Sequence, residues 1–288
     1  MSREEIATDD ELRAPMRPLG VRDRLSRGDP TSAFGRLVNA LVRLGATPNM
    51  VSWLGFFCAL AAGLCLARGA GDALPIASDF TDAPTSWWPF VASLFLLLAC
   101  VGDFFDGIIA RASGLESRYG ALLDSTLDRF ADMAIFGGCA LYFASVSNLS
   151  YVLLCLLGLA AASVTSYVKA RGENLTEGFG VGFWQRAERV SCMGAGMVSG
   201  HMPIALWILA TFPFLTVALR LSVARRRLEG KPLRARKPGL LTPWRYPRAT
   251  PTYVVFCTAI VLCILILPWF FPILRATSDP FALLLGGR

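Results

Sequence analysis

The sequence predicts an all-α, polytopic integral membrane protein, and three observations carry that prediction. Hydrophobic residues make up 54% of the 288-residue chain and charged residues only 17%, a balance too apolar for a soluble domain of this size. Apolar runs of membrane-crossing length follow one another from about residue 50 onward. Between them, Lys and Arg gather in alternate loops, the pattern expected of loops held on the cytoplasmic side.

Taken in order, residues 1–30 are polar, with Asp, Glu, Arg and Pro and no periodicity; they read as a flexible cytoplasmic tail. A membrane domain is expected over 31–225. It begins with Phe34, Leu37, Val38, Leu41, Val42 and Leu44 at helical spacing, Arg36 and Arg43 lying off that stripe. This is an amphipathic helix at the membrane surface, capped by Thr31 or Ser32 and ended by Gly45 and Pro48. Spans are expected at about 50–67, 87–111, 119–145, 150–170, 182–200 and 203–224. The fifth carries Arg186, Glu188 and Arg189 at its amino end, yet removing it would break the charge alternation. A basic cytoplasmic loop follows over 226–250. Residues 251–288 then supply an additional span, at about 252–272, ending in Pro-Trp-Phe-Phe-Pro, and a short tail.

With the tail cytoplasmic, one side receives Arg111, Arg118, Lys169, Arg171, Arg186 and the basic stretch from Arg220 to Arg248. The other receives the 69–88 loop with Asp72, Asp79 and Asp82, and two loops almost free of charge. Because the net charge of +7 is gathered in loops, it points to membrane lipid headgroups and away from nucleic acid. The first apolar run opens near Met50, behind a charged tail, so no secretory signal peptide is expected. Eight cysteines lie in apolar segments without CxxC pairing, which excludes a disulfide framework or zinc site. The only histidine, His201, falls in a Gly-His-Met-Pro turn, which removes histidine-based triads.

One stretch carries the chemistry. It reads Asp103-Phe-Phe-Asp106-Gly107-Ile-Ile-Ala110-Arg111, then eight residues, Gly120, three residues, Asp124, three residues and Asp128. Asp103 and Asp106 share one helix face, as do Asp124 and Asp128. Ionisable groups at membrane depth are costly and usually functional. Four facing carboxylates would repel one another unless a cation sat between them, and all-oxygen ligands favour Mg²⁺ or Mn²⁺ over zinc. A short connection folds the two helices antiparallel, so both acidic faces meet in one cleft. Small Gly107, Ala110 and Gly120 admit a bulky ligand, and Arg111 and Arg118 add positive charge beside it.

Every fixed position of this stretch resembles the motif D-x2-D-G-x2-A-R-x8-G-x3-D-x3-D of the CDP-alcohol phosphotransferases. The resemblance spans about residues 35 to 225 and implies a six-helix core with a homodimeric assembly. It implies that Asp103, Asp106, Asp124 and Asp128 hold metal, two ions in all, and that Asp128 is the general base. The acceptor hydroxyl would then attack the β-phosphorus of a CDP-linked lipid donor, with CMP leaving. Gly107, Ala110, Arg111 and Gly120 would approach the CDP diphosphate. Asn49 and Ser52, in a stretch similar to the family's lead into its first span, would touch the donor phosphate, although helix capping explains Asn49 equally well.

Two further patches, Ser166-Tyr-Val-Lys169-Ala-Arg171-Gly-Glu173 and Gln185-Arg186-Ala-Glu188-Arg189, resemble the S-Y-x-K-A-R-A-E and E-R-x-E-R of phosphatidylinositol phosphate synthase-like members. Arg220 resembles the arginine at the end of their sixth span. That likeness implies that Lys169, Arg186, Arg189 and Arg220 bind the phosphate of a phosphorylated alcohol, inositol phosphate above all. Gly172 and Gln185 depart from the pattern. Alternatives are a glycerol 3-phosphate acceptor, disfavoured by Ser125 and Leu127 within Asp124-Ser-Thr-Leu-Asp128-Arg129, or a CDP-aminoalcohol donor with diacylglycerol. Outside the family stand a membrane prenyltransferase and a cation transporter. Asp132 continues the Asp124–Asp128 face by one turn and reads as a partner for Arg129 or Arg111.

Overall fold

The computed structural model describes residues 33–75, 84–115, 117–175, 182–231, 251–271 and 279. The 1–30 tail, the Thr31 or Ser32 cap, Asp79, Asp82 and most of the basic 226–250 loop lie outside them. Eight helices run through the described residues: α1 (Ala33–Arg43), α2 (Pro48–Gly69), α3 (Trp88–Ser113), α4 (Arg118–Ser145), α5 (Leu149–Leu175), α6 (Arg186–Ser199), α7 (Met202–Leu228) and α8 (Pro251–Phe270). Among these residues the only bridge of β type joins Ala73 to Thr85.

Four helices, α2, α3, α5 and α7, are long and apolar enough to cross a membrane. Helix α4 has 28 residues, which is about 42 Å at 1.5 Å per residue, but carries Asp124 and Asp128 of the motif. The span expected at 182–200 is shorter than its apolar pattern suggests. Gly182 takes a positive φ of 106°, residues 183–185 are non-helical, and α6 runs only 14 residues to a left-handed Gly200. That helix is about 21 Å long, less than a hydrocarbon core of roughly 30 Å. Helix α8 runs 20 residues, about 30 Å, around the apolar stretch Tyr253–Leu267.

Helix α1 seats Val38 against Ile108 and Ile109 of α3, leaving Arg36 and Arg43 exposed as the amphipathic pattern predicts. Leu44 falls beyond the helix and is exposed, because Gly45, at φ 82°, turns the chain away. Helix α2 is the central staff of one half, packed on both α3 and α4. Its contact with α4 is backbone on backbone. A Cβ on Gly138 would lie 2.0 Å from the carbonyl oxygen of Gly63, and one on Gly63 would lie 2.3 Å from that of Ala134. Close approach of this kind is what small residues allow between helices in lipid. Helices α5 and α7 form the other half, α4 packing on α5.

The core joining the halves includes Leu66, Phe143, Tyr151, Met197 and Leu206. At one end of the bundle, Tyr142 donates to Asp72 Oδ1 at 2.6 Å and Gly200 abuts Ala73. The acidic motif lies at the other end, with the amino ends of α2, α4 and α6 and the carboxyl ends of α3, α5 and α7. All eight cysteines are free, and His201 leads into α7 with Nδ1 2.6 Å from the carbonyl oxygen of Ser199.

Candidate active site

The hairpin of α3 and α4 brings the motif together as its spacing requires. Helix α3 ends at a left-handed Gly114. Helix α4 restarts four residues later under a Ser117 cap, whose Oγ accepts from the Gly120 amide at 2.9 Å. One carboxylate oxygen each from Asp103, Asp106 and Asp124 lies within 4.8 Å of the others. Three hard oxygen donors at that separation fit a divalent cation with oxygen preference. Asp128 lines the same cleft, together with Ser52, Gly55, Phe56, Ala99, Leu127, Ala131 and Arg186.

Helix α2 braces the hairpin from outside. The Ser52 hydroxyl is 2.8 Å from Asp106 Oδ2 and 3.2 Å from the carbonyl oxygen of Pro48. Asn49 does not cap the helix: that role belongs to Thr47, whose Oγ1 accepts from the Met50 amide at 3.4 Å. Instead Asn49 Oδ1 faces Gly120, 3.4 Å from where a Cβ would stand there. Arg111 folds over Gly107, its Nη1 3.6 Å from a Cβ built on that glycine, with half-buried Ala110 beside it. Of the residues read as approaching a diphosphate, Ser52 lines the acidic cleft itself.

Arg186, on the first turn of α6, reaches directly into the cleft. Its Nη1 is 2.6 Å from Asp103 Oδ1 and 2.8 Å from Asp128 Oδ1, one cation binding a carboxylate from each arm of the hairpin. Asp128 also has Arg129 Nη1 at 3.8 Å from its Oδ2. Arg189, one turn on, is buried; its Nη2 is 3.4 Å from Asp132 Oδ2 and 3.5 Å from Ser166 Oγ. Asp132 therefore pairs with Arg189 and not with the Arg129 or Arg111 anticipated for it. Arg220 is fully buried and donates to the carbonyl oxygen of Thr165, so Arg189 and Arg220 converge on consecutive residues of α5. Lys169 lies one turn along α5 from Thr165 and is paired with Glu173 at 3.7 Å.

The four basic residues expected to bind acceptor phosphate are thus brought to the same end of the molecule as the aspartates, but Arg186 alone contacts them. Three features escaped sequence reasoning: the bridge from Arg186 to two motif aspartates, the Asp132–Arg189 pair and the docking of Arg220 on Thr165. The one available signal was the presence of Thr165 and Ser166 beside the Tyr-Val-Lys patch.

The family model described as CDP-alcohol phosphatidyltransferase matches residues 46–218. A phosphatidylinositol phosphate synthase of Streptomyces avermitilis is 37% identical over 202 residues, covering 65% of this chain and 75% of the relative. Another, from Cutibacterium acnes, is 34% identical over 212 residues, covering 67% and 92% respectively. A crystal structure of the Mycobacterium tuberculosis phosphatidylinositol phosphate synthase with CDP-DAG bound superposes with a TM-score of 0.53. It is 27% identical and covers 66% of this chain and 92% of that one. The same enzyme in complex with manganese and citrate gives a TM-score of 0.52 at 26% identity, covering 66% of this chain and 88% of that one.

Proposed function

The chain belongs to the CDP-alcohol phosphatidyltransferase family, and from that premise we propose that it moves a phosphatidyl group from CDP-diacylglycerol to a phosphorylated alcohol, inositol phosphate, releasing CMP. The observation that carries this reading is the acidic cleft with an arginine inside it. Three carboxylates are spaced for a divalent cation, and Arg186 stands beside them where an anionic acceptor would enter.

Asp103, Asp106 and Asp124 are proposed to hold Mg²⁺ or Mn²⁺, Asp128 adjoining so that two ions could share the set. Bound there, the metal would supply charge neutralisation on the diphosphate. Ser52 steadies Asp106, while Asn49, Gly107, Ala110, Arg111 and Gly120 leave room for the diphosphate at the rim. Asp128 is the proposed general base. It takes the proton of the acceptor hydroxyl, whose oxygen forms the new bond to the β-phosphorus. The bond from that phosphorus to the bridging oxygen breaks, and CMP departs with it.

Arg186, Arg189, Lys169 and Arg220 are proposed to serve the acceptor phosphate. Arg186 is the foremost because it already lies in the cleft. Arg189 and Arg220, both buried, fix the surrounding helices as much as they offer charge. Loop charges support a cleft that faces the cytoplasm, and the family resemblance supports a homodimer, whose mass in detergent would check it.

The experiment is release of labelled CMP by the purified chain from CDP-diacylglycerol with Mg²⁺ or Mn²⁺, tested with inositol phosphate, glycerol 3-phosphate, free inositol and serine. Release with inositol phosphate alone is expected. Release with glycerol 3-phosphate alone would keep the reaction and overturn the acceptor.

A further inference from the structure

The lead-in to α6 is clamped from two sides. On one side α7 holds it: the Trp184 amide donates to Thr216 Oγ1 at 3.3 Å, and Gly182 passes so close that a Cβ there would fall 2.3 Å from Thr216 Cγ2. On the other side stands α8, beyond the 46–218 segment that the family model matches. The ring of Phe183 packs against Phe256 at 4.9 Å and Tyr253 at 5.7 Å between centroids. A polar contact crosses with them: the Tyr253 hydroxyl donates to Glu188 Oε1 at 2.6 Å. Glu188 is buried and sits between Arg186 and Arg189 in sequence, on the turn that presents both.

We infer that α8 is a positioning element for the acceptor site, and that Tyr253, through Glu188, holds the first turn of α6 so that Arg186 faces the aspartates. The inference rests on the acceptor reading above. Its logic is geometric. The four residues before α6 are not helical, so backbone hydrogen bonding alone does not fix the direction in which that turn points. A short helix with a non-helical lead-in needs outside contacts to fix its orientation, and a hydrogen bond to a buried carboxylate is strong and directional. Displacing a positioning group by about 1 Å can cost on the order of a hundredfold in rate, so a remote tyrosine can matter to a site it never touches. Tyr253 is a positioning residue, not a catalytic one.

The test uses the full chain carrying Tyr253→Phe, which removes one oxygen and keeps the ring packing. Two quantities are read: the KM values for inositol phosphate and for CDP-diacylglycerol, and hydrogen–deuterium exchange over residues 182–192 against residues 103–128. The acceptor KM is expected to rise roughly tenfold, the loss of one hydrogen bond to a charged group, while the donor KM stays unchanged. Exchange is expected to rise in 182–192 and not in 103–128. A general loss of stability would move both KM values and both segments, and that outcome overturns the inference. So does an unchanged acceptor KM, whatever exchange shows. If the wild-type chain releases no CMP with inositol phosphate, the acceptor reading fails on that result. Exchange then decides the positioning role of Tyr253 alone, and equal exchange in the two proteins overturns it.

Discussion

Asp128 differs from the other three aspartates in its company. Asp103, Asp106 and Asp124 form the close oxygen cluster, whereas Asp128 shares Arg186 with Asp103 and has Arg129 Nη1 at 3.8 Å. A proton acceptor has to stand beside the proton that it takes, and Asp128 lines the cleft into which the acceptor would come. Asp128→Asn keeps shape and hydrogen-bonding capacity but removes the basic oxygen. It is expected to lower kcat by about 10²–10⁴-fold, the usual worth of general-base catalysis, while CDP-diacylglycerol binding changes little. Parallel CMP-release and donor-binding measurements check this; retained turnover would reassign the base. The residue scale is also where sequence was most informative. Acid spacing, glycine placement and Arg111 were legible because the chemistry demands those types at those intervals. Partners across helices were not legible: the face that Asp132 shares with Asp128 points to Arg129 or Arg111 as its partner. In space it meets Arg189, 57 positions away, because helical periodicity gives the face of a residue but not what packs against it.

Among the elements, α2 and α4 show how a single methyl group would be felt. Gly137 and Gly138 are adjacent on α4 but face different surroundings. Nothing lies within 4 Å of a Cβ on Gly137, while one on Gly138 would run into the Gly63 backbone. Gly138→Ala is expected to destabilise the protein by about 1–3 kcal/mol through overpacking. Gly137→Ala should leave stability unchanged or raise it by about 0.5–1 kcal/mol, through helix propensity. Thermal unfolding of the two variants in detergent makes the comparison, and equal shifts would contradict the backbone contact. The long apolar helices were legible from sequence, since length and hydropathy are local properties. It misjudged 182–200, where the apolar pattern continues across a non-helical lead-in. What breaks the helix there is Gly182 at positive φ against Thr216, a tertiary contact with no local signature.

At the scale of the whole molecule, the bundle places its chemistry at one end and a purely structural lock, Tyr142 on Asp72, at the other. Chelation tests that separation. EDTA is expected to abolish CMP release, and added Mg²⁺ or Mn²⁺ to restore it, while the unfolding temperature in detergent stays within a few degrees, roughly the effect of 1 kcal/mol. A large fall in unfolding temperature on chelation would mean that the metal also holds the helices together. The expected independence follows from Arg186, which bridges Asp103 and Asp128 across the hairpin. Small metal-dependent domains such as zinc fingers cannot fold before their ion arrives. This chain carries a guanidinium of its own beside its acids, so it is expected to fold without waiting for the ion. A newly made copy would then sit in the membrane, folded and silent, until divalent metal reached it.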